Sequence, residues 1–360
     1  MLNVLLSCFS EHEIFQIQYS IYQMNKQRNT SLDIAKAICT LMVVFLHAGE
    51  NNAVETYIKV ICTCAVPFFF LVSGYYLSLN VSAGKTEYAS RQLKKIGELF
   101  IVSNILYAIC ISILKLIFHD DLLGFWKTCL TCESIFNFLV LNDSPFGYHL
   151  WYIGAILYVL FIFNKLISKN KINRVVVYMP LFLILAIGLG IYSKIIFKEN
   201  FPIYVSRNFI HVGIPSMAIG YMLASVLNHK QHLHRFALLS VIVFSMAIIV
   251  ERFILYRLGL MSTGSIFIMT VPLAVAIFIF AATDETVHSS PFMKILADIG
   301  RYDSANIYIY HMIFILVWEY LSTCQNVIYI HSKPILVFVL ALALSRGLQF
   351  AKSRHSKNKQ

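Results

Sequence analysis

Thr30-Ser-Leu-Asp33-Ile-Ala-Lys36-Ala-Ile-Cys-Thr-Leu-Met-Val-Val-Phe-Leu-His47-Ala-Gly-Glu50 is the stretch that decides how this chain is built. Its apolar run approaches the roughly 17–25 residues that a helix needs to cross a bilayer. Thr30 or Ser31 can cap the helix, and Asp33 suits the positive end of its dipole. Lys36 and His47 face the same side, since their spacing closes three turns at about 100° per residue. They stand about 16 Å apart along the axis, half the hydrocarbon thickness. Each ionisable group inside a span costs about 2.5–3.5 kcal/mol on insertion scales, so a pair on one face suggests function. The plain alternative is that Lys36 snorkels to one interface while His47 sits at the other. Glu50, one turn beyond His47, can orient its imidazole.

The rest of the chain carries the same signature. Of 360 residues, 58% are hydrophobic and 13% charged, and the mean hydropathy is +0.71. A soluble domain carries about 25% charged residues, so lipid must solvate much of this chain. Apolar runs predict about ten transmembrane helices, near 32–49, 57–79, 98–118, 149–168, 174–196, 208–228, 235–250, 265–283, 304–321 and 334–350. The fold class is therefore an all-α polytopic integral membrane protein. The run from Phe125 to Leu141 carries Lys127, Glu133 and Asn137, and reads as an interfacial or re-entrant helix rather than a further span. No connection is long enough to form a soluble core, so any chemistry belongs to the bundle or its faces.

The formal charge of +11 is no nucleic-acid footprint, because the bases sit in short loops and form no continuous patch. Of the 29 Lys and Arg residues, 20 fall in one set of alternate connections and nine in the other. That bias places both termini in the cytoplasm. Residues 1–29 have neither the basic start nor the cleavage site of a signal peptide and read as a disordered extension. The domain then runs over 30–351, with a basic tail at 352–360. The cysteines are scattered, mostly within apolar runs, where they act as small hydrophobes. The lone Cys129-x-x-Cys132 is left between packing and a redox role. No metal site is expected: His229, His232 and His234 read as a solvated turn.

Polar residues recur inside other spans. Tyr308, His311, Ile315 and Glu319 form a helical stripe near 304–321. Arg207 and His211, at i and i+4, are expected on one helical face, either as a site for an anionic or sugar group or as an interfacial anchor. Pro67 suggests a kink, and Ser73 and Gly74 a close helix approach. Arg91, Lys94 and Lys95 form a basic cluster suited to anionic headgroups or phosphates.

Taken together, these residues resemble a known family. Lys36-x10-His47 is similar to the Arg/Lys-x10-His signature of the acyltransferase-3 family of integral membrane acyltransferases. Val66-Pro-Phe-Phe-Phe-Leu-Val-Ser-Gly-Tyr-Tyr76 looks like its second-helix segment. His149-Leu-Trp151-Tyr152 and Ser304 through Tyr308-Ile-Tyr310-His311 resemble two later landmarks, in the expected order. The resemblance implies transfer of an acyl group, usually acetyl, from acetyl-CoA to a hydroxyl of an envelope carbohydrate, lipid-linked sugar or small metabolite, at the cell's inner (plasma) membrane. It makes His47 the essential histidine and Lys36 its basic partner, and places Tyr310 and His311 in the polar site. Lys36, Arg91, Lys94 and Lys95 would attract the donor's phosphates, and Tyr308, Tyr310, Trp151, His149 and Arg207 would meet the acceptor. A membrane transporter or flippase of a glycan or glycolipid is the rival reading, with the same charges lining a translocation path.

Overall fold

The computed structural model describes residues 29–49, 53–85, 87–227, 233–260, 266–284, 286, 288, 290–321 and 327–357. All of its regular structure is helical: α1 Thr30–Ala48, α2 Ala53–Cys62, α3 Ala65–Ser82, α4 Tyr88–Ile117, α5 Leu122–Cys129, α6 Cys132–Val140, α7 Trp151–Ser168, α8 Asn173–Gly188, α9 Ile214–Val226, α10 Leu233–Arg257, α11 Thr270–Ala282, α12 Pro291–Asp298, α13 Ser304–Leu321 and α14 Val327–Lys357. Seven stretches among the described residues are long and apolar enough to cross a membrane, and α8 and α11 are shorter apolar helices. Each of the ten predicted intervals falls on one of these helices or on α13.

The helices sort into a centre and a rim. α1 and the stretch Val54–Ser82 over α2 and α3 bury 61% of their most apolar windows, whereas α4 buries 17% and α10 buries 11%. The rim helices turn large apolar residues outward, among them Ile101, Ile105 and Ile109 on α4 and Leu239, Val243 and Met246 on α10. That pattern suits lipid as the outer solvent. At the centre, α3 packs closely on α9, because both Gly74 and Gly220 lack the Cβ that would strike the facing carbonyl, of Met217 and Leu71 respectively. Gly74 thus plays the packing part that its sequence suggested.

Several boundaries depart from expectation for visible reasons. The cap of α1 is Asn29, whose Oδ1 accepts from the Leu32 amide at 2.8 Å; Ser31 instead reaches across to Asp284. The expected single helix from Phe125 to Leu141 is two, α5 and α6, because Thr131 is extended and caps α6 through the Ser134 amide. α11 starts at Thr270 rather than near 265. Its N-terminal amides are held by the Glu251 carboxylate of α10, at 2.9 Å from Ile268 and 3.4 Å from Met269. α10 itself runs on through Glu251 to Arg257, past the predicted end at 250.

The sixth span is interrupted. Arg207 ends the single turn Ile203–Ser206, Asn208 is extended, and Phe209–Gly213 forms a π-helical turn before α9. Arg207 and His211 therefore do not share a helical face, correcting the i, i+4 reading. The cause is Asn208, whose side chain accepts from the amides of Ile210 and His211 at 3.0 Å each and so starts a new helix there. At the other end, α14 continues through the basic residues to Lys357. Residues 1–28, Glu50, His229, His232 and 358–360 lie outside the described residues.

Candidate active site

α1 carries Lys36 and His47 on one unbroken helix, each against its own cavity. A second π-helical turn, Ile299–Asp303, fixes where α1 sits. Gly300 presses backbone to backbone on Asp33 and Ala37, and any Cβ there would strike the Asp33 carbonyl. The turn is anchored below by buried Asp303, which accepts from Ser345 at 2.7 Å and pairs with Arg346 at 2.7 Å on α14. The register of α1 against α13 is thereby held by a glycine contact and a buried carboxylate.

His47 is backed by two more histidines. Its ring centroid lies 5.3 Å from His311 and 6.4 Å from His149, and the latter two are 5.5 Å apart. His149 and His311 are fully buried and line neither cavity, so only His47 of the three presents a face to open space. His47 Nδ1 lies 3.2 Å from the Tyr148 hydroxyl, which also lies 3.8 Å from the Met312 sulfur. A chain in which Nδ1–H donates to Tyr148, and Tyr148 to sulfur, leaves Nε2 of His47 with a free lone pair. His311 Nδ1 bonds the Ile307 carbonyl at 3.0 Å, and its Nε2 has no partner. Both ring nitrogens of His149 are likewise unpartnered, while its backbone carbonyl accepts from Tyr308. Tyr107 on α4 packs its ring 4.6 Å from His149 and donates to the Ile309 carbonyl, tying a third helix to the cluster.

The cavity at His47 measures about 230 Å³ and is lined also by Thr63, Pro67, Tyr148, Trp151 and Arg207. Arg207 lies over the Trp151 ring at 5.2 Å, a cation–π contact that suits a guanidinium held away from water. The cavity at Lys36, also about 230 Å³, is lined by Phe69, Ser73, Tyr152, Arg301, Ser304 and Tyr308 among others. There Lys36 bonds Asp33 at 2.9 Å. The two cavities stack along the same helices, with Val66 and Pro67 against one and Phe69 and Ser73 against the other on α3. The rings of Phe69, Tyr152 and Tyr308 line the Lys36 cavity and pack together as an aromatic layer, at 6.3 Å and 5.5 Å from centre to centre.

Not every expected residue gathers here. Arg91, Lys94 and Lys95 are exposed on α4 and line neither cavity. Tyr310 faces the apolar layer around Ile309 and Met312 instead of either cavity. Glu50 lies outside the described residues, and the group found on His47 Nδ1 is Tyr148. Glu319 is exposed at the far end of the α13 stripe. Tyr148 and Arg301 went unnoticed as site residues. Tyr148 directly precedes the His149 landmark, and Arg301 is one of the 20 Lys and Arg residues on the majority side of the charge bias. The described residues contain no group of three His, Cys, Asp or Glu side chains placed to hold a metal ion. Cys129 and Cys132 are both free thiols, one buried and one exposed.

Comparison with known proteins agrees with this architecture. Two curated relatives match part of the chain. An amino-acid racemase of Enterococcus faecalis is 29% identical over 139 residues, 36% of this chain and 18% of the relative. A serine/alanine racemase of Enterococcus gallinarum is 26% identical over 160 residues, 41% of this chain and 21% of the relative. The chain thus covers about a fifth of the length of each. No solved structure matches it. A family model described as an acyltransferase domain matches residues 29–349, nearly the whole bundle including both cavities and the three histidines. The chain belongs to the acyltransferase-3 family of membrane acyltransferases.

Proposed function

We propose that this protein transfers an acyl group, acetyl by preference, from acyl-CoA to a hydroxyl of an envelope carbohydrate or lipid-linked sugar at the plasma membrane. The observation that carries the reading is the pairing of His47 and Lys36 on one helix, each lining a different cavity of the same bundle. In this reading both termini are cytoplasmic, so the Lys36 cavity faces the donor's compartment. Lys36 and Arg301 attract the donor's phosphates, with Arg91, Lys94 and Lys95 as an exposed basic approach. The thioester is carried toward the aromatic layer by the pantetheine arm, across the roughly 16 Å between Lys36 and His47.

His47 Nε2 then removes the acceptor's hydroxyl proton as its oxygen attacks the thioester carbonyl. The carbon–sulfur bond breaks, and the departing thiolate regains a proton from the imidazolium. The hydrogen bond to Tyr148 holds the ring in that orientation. An acyl-histidine intermediate on the same nitrogen is an equivalent route. Arg207, Trp151 and Tyr148 meet the acceptor.

One observation favours a second reading. Two cavities stacked along the same helices also suit a transporter or flippase that opens to one side at a time. The discriminating experiment follows radiolabel from acetyl-CoA into extractable lipid-linked or polymeric glycan, in inverted vesicles carrying wild type or His47→Ala. Label that requires His47 supports transfer. Label unchanged in the variant removes the mechanism, and no label with a broad set of glycans moves the case to transport.

A further inference from the structure

A larger cavity than those at Lys36 and His47 lies elsewhere in the described bundle. It measures about 580 Å³ and lies between α8, α9, α10 and α11, lined by side chains such as Leu183, Phe236, Phe244, Val275 and Ile279. It is almost wholly apolar; Ser240, its one hydroxyl-bearing side chain, is spent on the Phe236 carbonyl. Along α10 it extends from Leu233 to Phe244, about 16 Å at 1.5 Å per residue, or half the hydrocarbon thickness. An apolar cavity of about 150 Å³ accepts a benzene, so this one has room for a single hydrocarbon chain of about twenty carbons.

Two features join this groove to the histidine site. Ile266 lines both cavities, so the two adjoin at that side chain. Also lining the cavity at His47 is Arg207, whose Nε is buried without a hydrogen-bond partner. Asp143 feels its charge, yet no carboxylate among the described residues forms an ion pair with it. A cation held unpaired at membrane depth is costly, so it calls for an anion that arrives with a ligand. A guanidinium is suited to a phosphate, which it can grip with two N–H donors.

We infer that the acceptor is presented on a single-chain lipid phosphate, its chain in the α8–α11 groove and its phosphate on Arg207, so that the attached hydroxyl reaches His47. The acceptor then enters sideways from the bilayer rather than from water. The inference rests on the acyl-transfer reading for its purpose, but the binding it describes needs no donor.

The test is photolabelling of the full-length protein in phosphatidylcholine nanodiscs, with a diazirine-bearing hexadecyl phosphate and the matching hexadecyl alcohol as probes. The phosphate probe should label peptides of α8, α10 and α11. Arg207→Gln should lower that labelling about tenfold, the worth of a charge-assisted hydrogen bond, and leave the alcohol unchanged. Ser240→Trp should fill the groove and remove both labels. Leu239→Trp, on the neighbouring lipid-facing position, should leave both, which controls for folding. Unlabelled polyprenyl phosphate should compete and phosphatidylglycerol should not. Labelling indifferent to Arg207→Gln, or equal in the two tryptophan variants, would mean annular lipid and overturn the inference. Equal competition by phosphatidylglycerol would overturn it in favour of an ordinary phospholipid. His47-dependent transfer to a water-soluble glycan that is insensitive to Ser240→Trp would also overturn it, while leaving acyl transfer intact.

Discussion

Tyr148→Phe removes one hydroxyl from the site and almost no volume, so it isolates what the contact with His47 contributes. The His47 Nδ1 to Tyr148 distance is 3.2 Å, at the long end for such a bond, and among the described residues the hydroxyl's other hydrogen-bond neighbour is the Met312 sulfur. A neutral hydrogen bond of this kind contributes about 0.5–1.5 kcal/mol net. If that energy serves to hold the imidazole in its reactive orientation, and 1.36 kcal/mol is tenfold in rate, kcat should fall about two- to twelvefold. Loss of the base itself, in His47→Ala, should cost about 10²–10⁴-fold. The assay is acetyl transfer from labelled acetyl-CoA in inverted vesicles, with donor concentration varied so that kcat and KM separate. The donor KM should stay put, because Tyr148 lines the cavity at His47 and not the one at Lys36. A loss as deep as that of His47→Ala would refute the reasoning, since Tyr148 would then be moving the proton itself. So would an unchanged kcat.

Three further outcomes follow from the fold. Gly220→Val places a branched side chain against the Leu71 carbonyl, and should destabilise the protein by about 1–3 kcal/mol, read as a lower Tm in detergent; an unchanged Tm would show that α3 and α9 can separate freely. Arg346→Ala leaves Asp303 buried without its cation and should cost about 1–2 kcal/mol, reduced from the fully buried case because Arg346 is half-exposed. Adding Asp303→Asn should recover part of that loss; strict additivity in the double-mutant cycle would deny the coupling. The third concerns Asp284, where burial pushes the carboxyl up but bonds from Thr286 and Ser31 outweigh it and hold the group below its ordinary value of 3.8. A depressed carboxylate stabilises the folded state above its unfolded pKa, and that share is lost as pH falls through the folded one. Acid unfolding of Asp284→Asn should therefore begin from a lower plateau and show a shallower slope below about pH 4; curves parallel to wild type would refute it.

Much of the fold was legible because a bilayer makes apolar length a strong signal. Each predicted interval meets a helix, and the misjudged ends are set by single side chains, some reaching from another helix and some capping beside the break itself. Glu251 shortens α11 from a different helix, and Asn208 restarts the sixth span with its own carbonyl oxygen. No periodicity of the local sequence announces either. The site was legible where two residues share one helix, as Lys36 and His47 do. It was illegible where proximity comes from packing: that His149 and His311 both stand behind His47 depends on how α1, α13 and the turn before α7 meet. Tyr310 illustrates the limit from the other side, since its neighbours Tyr308 and His311 reach the site while it turns into the apolar layer. Arg301 was hidden because a base in a connection between apolar runs already has a topological reason to be there.

The ring layer of Phe69, Tyr152 and Tyr308 has a consequence for the cell that houses the protein. A bundle hollowed from both ends is one breach away from becoming a pore. Phe69, Tyr152 and Tyr308 crowd the Lys36 hollow with aromatic rings, and the Tyr308 hydroxyl is committed to the His149 carbonyl. Such a packed layer should help protons and sodium ions on either side to keep their gradients, however abundant the protein becomes. A leak would discharge the membrane potential that powers the rest of the envelope. Shrinking any one of these rings should therefore be felt first as a loss of electrical insulation, in liposomes holding nothing but the purified protein and a proton-sensitive dye.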